Sequence, residues 1–369
     1  MPTHERILYI GPYREFSGAG NSARNYIEAL YKKGHEVCIS PLFPTGDLYP
    51  ENDISSEILP LENNYQKTYD IVIQHCHPFD YVYDHRFSKN IGIYQFNSLN
   101  IKPIIFSRLD LMDNIVVNSN INLETINRTA NTKLSDKLRL VPELIDLDKI
   151  KDKQYSKYEW IKKLNDPYIF YVIGNFIERR NFYKILSAFV YSFDTECNVE
   201  LVIKTKNHYS IDDIGLIEKE LDYMMNKIYG SVRKQKERCK QPKIMVGKFS
   251  YDALLSMHSN LDCYIDVSQA ENFGYGVLEA ASFNNDIITN ELSSSTEIVP
   301  SYKVSSKITN ANDSLTKNFI ENNLTDIWSD VDFNSLVNAM KTAEINRYNK
   351  VNNYDLSEYD YHNVNKLLC

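Results

Sequence analysis

Short apolar runs alternate with amphipathic helical stretches through most of this 369-residue chain, and that alternation leaves few architectures open. "RILYIG", residues 6–11, is an apolar run closed by glycine, as a buried parallel strand requires. A loop, "PYREFSGAGNS", and a helically periodic stretch, "ARNYIEALYKKG", lead to Gly34, after which "HEVCIS" predicts the next strand. This is a β-loop-α-β unit. "YDIVIQHC", "KNIGIYQF", "DNIVVNS" and "LRLVPEL" continue the series, and strands alternating with helices imply a parallel sheet covered by helices.

A charged stretch closed by proline, "DKIKDKQYSKYEWIKKLNDP", reads as a seam. Beyond it "YIFYVIGNF", "VELVIKT", "KIMVG", "CYIDVS" and "DIITN" form a second series with helical stretches between them. The length exceeds one ordinary core. The expectation is an α/β protein of two Rossmann-like, doubly wound parallel-sheet domains facing a cleft, where such pairs bind ligands at the carboxyl ends of their strands. The N-terminal domain spans residues 1–165, the C-terminal domain 166–345, and residues 346–369 form a tail free to pack back on the first domain.

Composition narrows the function. Hydrophobic residues make up 43% and charged residues 24%, as in a soluble globular protein. No apolar run approaches the roughly 18 residues of a membrane span, and no signal-peptide layout is present. The six cysteines are scattered without a CxxC pair, which predicts reduced thiols and a cytoplasmic protein. A net charge of −8 weighs against nucleic acid and anionic membranes, although peripheral membrane contact stays open.

Three stretches carry the chemistry. In "AENFGYGVLEA", residues 270–280, Glu271 should lie in the loop after the strand "CYIDVS", with Glu279 about a turn into a helix starting near Gly276. Residues Phe273 to Gly276 then form a helix start where backbone N–H groups and the dipole favour an anion, and glycine lets that backbone approach a ligand. A loop carboxylate can accept hydrogen bonds from sugar hydroxyls, and one in the helix can hold a ribose diol. The alternative is an ordinary loop charge and a dipole-stabilised helix charge.

In "GNFIERRNF", residues 174–182, Arg179 and Arg180 stand at a helix start, where cations are unfavourable unless an anion neutralises them. Guanidinium groups bind phosphate oxygens bidentately, and Lys204 at the end of "VELVIK" is placed to join them. Two solvated arginines are the alternative. In "SGAGNSA", residues 17–23, Gly18 and Gly20 imitate a dinucleotide fingerprint but sit past the strand end, and the acidic residue such a site needs is missing from the end of "HEVCIS". A glycine loop touching a ligand across the cleft fits better.

His75 and His77 follow a strand, and a period of two points both imidazoles the same way, toward an acceptor-side role rather than a metal pair. Asp330-Val331-Asp332 imitates a metal-binding DxD but precedes "FNSLVNAM", so helix capping is expected. The basic run from Lys227 to Lys248 reads as a solvated helix and loop.

Taken in order, these residues resemble the retaining GT-B glycosyltransferases of glycosyltransferase family four. The E-G-F-G-x-x-x-L-E signature of that family matches "ENFGYGVLE", its G-R-L-x-x-x-K-G/N phosphate motif matches "GNFIERRN", and "SSSTEIV" is similar to its S/G-G-x-x-E-V-V. "GHEV", "NIVVNS" and "VPELIDLDKI" also fall where the family has related segments, so the resemblance runs from about residue 6 to residue 345.

The resemblance implies transfer of a hexosyl or pentosyl group from a UDP- or GDP-sugar to a glycan, lipid or protein hydroxyl, with no metal or other cofactor. It implies that Glu271 lies beside the donor sugar, that Arg180 binds the diphosphate as the second catalytic residue, and that Glu279 holds the nucleotide ribose. Asn272, Phe273, Gly274, Tyr275 and Gly276 would cradle sugar and phosphate, and the loop from Gly247 through Phe249 to Ser250 would border the base. Asn175 replaces the family's phosphate-binding arginine, leaving Arg179 or Lys204 to compensate, and Asn97 stands where many members have an acceptor-side histidine. Two further readings follow from these departures and from the basic run: a non-catalytic nucleotide-sugar binder, and an enzyme acting on modified DNA.

Overall fold

The computed structural model describes residues 4–15, 17–42, 54, 56–130, 134–152, 155, 166–206, 214–232, 239–311, 326–349 and 352–369. The chain divides into two compact units, Met1–Asp152 with Leu356–Cys369, and Lys153–Asp355.

The first unit holds β1 (Arg6–Gly11), β2 (Glu36–Pro41), β3 (Ile71–His75), β4 (Lys89–Ile93), β5 (Asn114–Val117) and β6 (Leu138–Leu140), joined in a parallel sheet of order β2-β1-β3-β4-β5-β6. β3 and β5 are buried along their whole length, which is why they read as unbroken apolar runs rather than alternating ones. α1 (Gly18–Lys32), α2 (Pro103–Leu109), α3 (Asn120–Ala130) and α4 (Leu147–Asp152) belong to the same unit. Residues 356–369 are fastened to it: Asp360 bridges Ile145, and Tyr361 Oη donates to Asn25 Oδ1 at 2.6 Å and to Glu28 Oε2 at 3.0 Å.

α1 begins at Gly18, earlier than the expected start at Ala23, and this corrects the reading of residues 17–23 as a glycine loop. Ser17 caps the helix, its Oγ accepting from Gly20 N at 3.0 Å. A Cβ on Gly20 would meet Glu15 O at 2.1 Å, so glycine there serves the packing of the preceding turn.

The second unit holds β7 (Tyr168–Asn175), β8 (Val199–Lys206), β9 (Lys243–Val246), β10 (Cys263–Asp266), β11 (Asp286–Asn290) and β12 (Tyr302–Val304), in the parallel order β9-β8-β7-β10-β11-β12. β13 (Ser306–Asn310) and β14 (Ile327–Val331) form a separate antiparallel pair. The helices are α5 (Phe182–Ser192), α6 (Ile214–Val232), α7 (Tyr251–Asn260), α8 (Tyr275–Ser282) and α9 (Phe333–Asn346). On one face, Phe170, Val172, Leu201 and Ile203 pack into the main core with side chains of α5, α6 and α9. Alternation along a strand sends Tyr171 and Lys204 to the opposite face.

Asp332 caps α9, accepting from Ser335 N at 2.7 Å, and Asp330 pairs with Lys184. Most of the seam stretch, residues 153–154 and 156–165, lies outside the described residues, as do residues 233–238 of the basic run; Lys227 is exposed on α6. No helix among the described residues is long and apolar enough to cross a membrane.

Candidate functional site

In the second sheet the connections run outward from β7 to β8 and β9 on one side, then return to place β10, β11 and β12 on the other. This is the doubly wound order in which ligands sit beyond the strand ends where the direction reverses, here between β7 and β10. The two charged loops that stood out in the sequence follow those two strands. Gln269 N donates to Arg179 O at 2.8 Å and Asn181 Nδ2 to Val267 O at 3.2 Å, so the loops are laced together through their backbones. Ser294 Oγ donates to Glu271 O at 2.6 Å and Asn290 Nδ2 to Ser268 O at 2.8 Å, fixing the second loop from β11 and beyond.

Arg179 and Arg180 lie in a short 3-10 turn, Glu178–Arg180, ahead of Asn181, whose left-handed backbone (φ 62°) starts α5. Asparagine tolerates that conformation better than most residues. Arg180 Nη1 donates to Glu271 Oε2 at 2.7 Å and to Ser268 Oγ at 3.1 Å, and stands 3.7 Å from Asp266 Oδ1. Arg179 Nη1 donates to Ala270 O and lies 3.3 Å from Glu271 Oε2.

The charges tune one another. Burial opposes ionisation of Glu271, but Arg180 and Arg179 outweigh it and hold its carboxyl below the usual range. Burial pushes Asp266 the other way, and the charge of Glu271 adds to that push against Arg180. Burial likewise opposes the charge on Arg180, yet Glu271 and Asp266 raise its pKa. Arg179 is lowered by burial and by its neighbour Arg180.

Lys204 differs from both arginines. It is 4% exposed, its ammonium lies 5.3 Å from the Phe249 ring centroid, and burial with the nearby charge of Lys206 brings it down to about 8. No carboxylate among the described residues compensates it. Gly247, which opens the loop carrying Phe249, has φ +139° and open space where a side chain would be.

Glu279 sits in the second turn of α8, 5% exposed, with Oε2 3.4 Å from His258 Nε2 on α7. The start of α8 corrects one expectation. Phe273 and Asn272 are buried, and the room made by the glycines is filled by protein: a Cβ on Gly274 (φ +96°) would meet Ser295 Cβ at 2.4 Å, and one on Gly276 would meet Tyr264 Oη at 2.2 Å. These glycines let the helix start close on its own unit, with half-buried Tyr275 as the first helical residue. Gly274→Ala should therefore cost about 1–3 kcal/mol of stability from the strained backbone alone, read as a lower urea midpoint. No side chain caps α8, whose positive dipole end directly follows the loop of Glu271 along the chain.

In the first unit, His75 ends β3 and is 3% exposed; Tyr9 Oη lies 2.7 Å from its Nδ1, and burial brings its pKa to about 4. His77 lies beyond the strand and its Nδ1 accepts from Phe79 N at 3.3 Å. The period of two stops at His75, so the paired-imidazole expectation is corrected. Asn97 is exposed beyond β4 and Gly18 opens α1.

Three polar residues escaped the sequence reading. Glu143 is 2% exposed, accepts from Gln95 Nε2 at 2.6 Å, and is raised by burial to about 7. Asp266 was legible in principle, as a carboxylate closing the apolar run "CYID"; His258, inside a helical pattern, was not.

Comparison with solved structures places this architecture. The sucrose-phosphate synthase of Thermosynechococcus elongatus is similar over 98% of this chain and 94% of its own, with a TM-score of 0.61 at 13% identity. The Anabaena protein HepE in complex with UDP and glucose gives 0.56 at 10%, covering 99% and 98%. The catalytic domain of starch synthase IV from Arabidopsis thaliana, bound to ADP and acarbose, gives 0.60 at 12%, covering 99% and 95%. The fold is GT-B. At these identities the likeness is one of fold. No family model matches the chain, and no curated protein matches it. Within the GT-B frame, Arg179, Arg180 and Glu271 converge at ion-pair distance, with Asp266 as a fourth member.

Proposed function

We propose that this protein is a retaining glycosyltransferase that moves a sugar from a nucleoside-diphosphate sugar to an acceptor hydroxyl. The observation that carries the reading is the charge arrangement at the β7/β10 reversal: two arginines, a buried lysine that no carboxylate of the described residues compensates and a helix N-terminus around one end of a sheet, with Glu271 and Glu279 beside them. Departure of a nucleoside diphosphate builds negative charge on phosphate, and fixed cations aimed there stabilise that transition state. Arg180, Arg179 and Lys204 supply positive charge without a divalent metal. Glu271 meets the sugar, and Glu279 the ribose. The solved GT-B proteins that bind UDP with glucose, or ADP with acarbose, support a nucleotide-sugar donor here.

Retention follows from attack on the face the phosphate leaves, with a phosphate oxygen accepting the acceptor's proton. A carboxylate whose Oε2 is already bound by guanidinium groups is a poor nucleophile, which favours this route over double displacement through Glu271. His75, His77 and Asn97 are assigned to the acceptor side, the acceptor being a glycan, lipid or protein. Asn175, in place of a phosphate-binding arginine, also suits a binder that does not turn over.

A panel of UDP-, GDP- and ADP-sugars tests the reading. One donor should raise the melting temperature, as any ligand of the native state does, and release its nucleoside diphosphate in the presence of EDTA. Glu271→Ala should lose transfer by about 100-fold or more while remaining folded. Stabilisation by a donor without release of diphosphate would leave the binder, and no stabilisation by any donor would sink both.

A further inference from the structure

Behind Glu279 lies a chain of buried polar groups that the transfer chemistry does not use. His258 is fully buried on α7, and Tyr171 Oη lies 2.7 Å from its Nδ1. Asn285 Nδ2 donates to Tyr171 Oη at 2.7 Å and to the His258 carbonyl at 2.7 Å. The second bond fixes which end of the asparagine is the donor, because a carbonyl can only accept. Tyr171 Oη therefore accepts from Asn285, and its own proton has one neighbour to go to, His258 Nδ1. That makes Nδ1 the acceptor, so in the neutral ring the proton sits on Nε2. Among the described residues Nε2 makes no hydrogen bond; Glu279 Oε2 lies 3.4 Å from it, at ion-pair distance, while Oε1 of the same carboxylate is buried without a partner.

We propose that His258 is the positioning residue of Glu279: the ordered series Asn285, Tyr171, His258 presents an N–H to one carboxylate oxygen and leaves the other to take the ribose hydroxyls of the donor nucleotide. The inference rests on the ribose role given to Glu279 above. A long acidic side chain loses rotamer freedom when it binds a ligand, and a partner that holds it beforehand reduces that loss. Lining up a carboxylate through the far nitrogen of an oriented imidazole is the arrangement that supports ligating groups elsewhere, here with a tyrosine setting the tautomer. Packing keeps the ring in place: Tyr171, Tyr264 and Phe283 surround it at centroid distances of 5.4, 5.5 and 6.4 Å.

Calorimetric titration with UDP, GDP and ADP, each beside its 2′-deoxy form, tests this. The unaltered protein should prefer the ribose form of the nucleotide it binds. Glu279→Gln should reduce that preference, and His258→Leu, which keeps an apolar body in the pocket, should reduce it by about 3–10-fold, the worth of one hydrogen bond. His258→Gln, which restores an N–H, should recover part of it, and Tyr171→Phe, which removes only the hydroxyl, should shift it the same way and serves if the leucine variant does not fold. A merely structural histidine would lower the melting temperature and leave the ribose-to-deoxyribose ratio unchanged. That outcome, with Glu279→Gln still losing the ratio, overturns the inference and spares the ribose reading. If Glu279→Gln also keeps the ratio, the ribose reading itself fails and takes this inference with it.

Discussion

Arg180→Ala should lose sugar transfer by about 100-fold or more and destabilise the protein by about 3–5 kcal/mol. The two effects share a cause. Arg180 is the cation facing both Asp266 and Glu271, whose side chains are 4% and 11% exposed. Removing it leaves two buried carboxylates beside each other, and among the described residues Arg179, on Glu271, is the one cation left at ion-pair distance. The pH dependence carries the signature. With Arg180 present, the folded pKa of Glu271 is depressed, so its contribution is present above the unfolded value and fades as pH falls through the folded one. Asp266 is raised, so it opposes folding above its folded value, and that cost disappears as pH falls. Without Arg180 both groups belong to the second kind, so the variant should gain more stability from pH 7 toward pH 5 than the unaltered protein, in which Asp266 alone contributes in that direction. Urea midpoints at the two pH values, with assay of nucleoside diphosphate release, check it. Arg180→Lys separates charge from geometry: it should recover most of the stability and little of the transfer, because an ammonium can take the place of Nη1 at Ser268 and Glu271 but lacks the planar set of further N–H groups that binds phosphate bidentately.

Both sheets were legible because parallel strands buried on both faces must be apolar throughout, and "YDIVIQHC" or "YIFYVIGNF" can be little else. β12, β13 and β14 were not: "YKV" and "SKITN" lie at an edge or in a two-stranded pair, half exposed, with polar residues that carry no strand signal. The start of α1 failed for a different reason. Gly18 and Gly20 looked like loop residues, yet Ser17 offers a capping hydroxyl, and a cap outweighs two poor helix formers in a first turn. At the site, each loop declared its charges, but their meeting did not follow from the sequence. It depends on β10 lying beside β7, and many residues separate them along the chain. Tyr171 and His258 were hidden more deeply, since each sits in a segment whose pattern predicts only core, while Asn285 reads as an ordinary turn residue before β11, and their polarity is satisfied by one another.

Lys204→Met should give a more stable protein that binds its donor less well. Folding brings the Lys204 ammonium from an ordinary value to about 8, which means the folded chain disfavours its charge. For a lysine so depressed, the cost is fully present below the folded value and shrinks as pH rises from about 8 toward the unfolded value of about 10.4. At pH 7 the penalty is about 2–3 kcal/mol, and methionine, of similar length and without charge, removes it. No ion pair in the described structure repays that cost, in contrast to Arg180, so stability alone gives no reason for a lysine at the end of β8. A bound diphosphate does: it favours the protonated form, so binding should raise the lysine pKa, take up a proton, and weaken as pH rises from 7 to 9. In the methionine variant that pH dependence should flatten and affinity for UDP at pH 7 should fall by about 10-fold, the worth of one charge-assisted hydrogen bond to phosphate. Denaturant melts and calorimetric titrations of UDP at pH 7 and 9 read both quantities. A variant that is less stable and binds as before would make Lys204 a structural residue; one that is more stable and binds poorly marks a charge kept buried for a ligand.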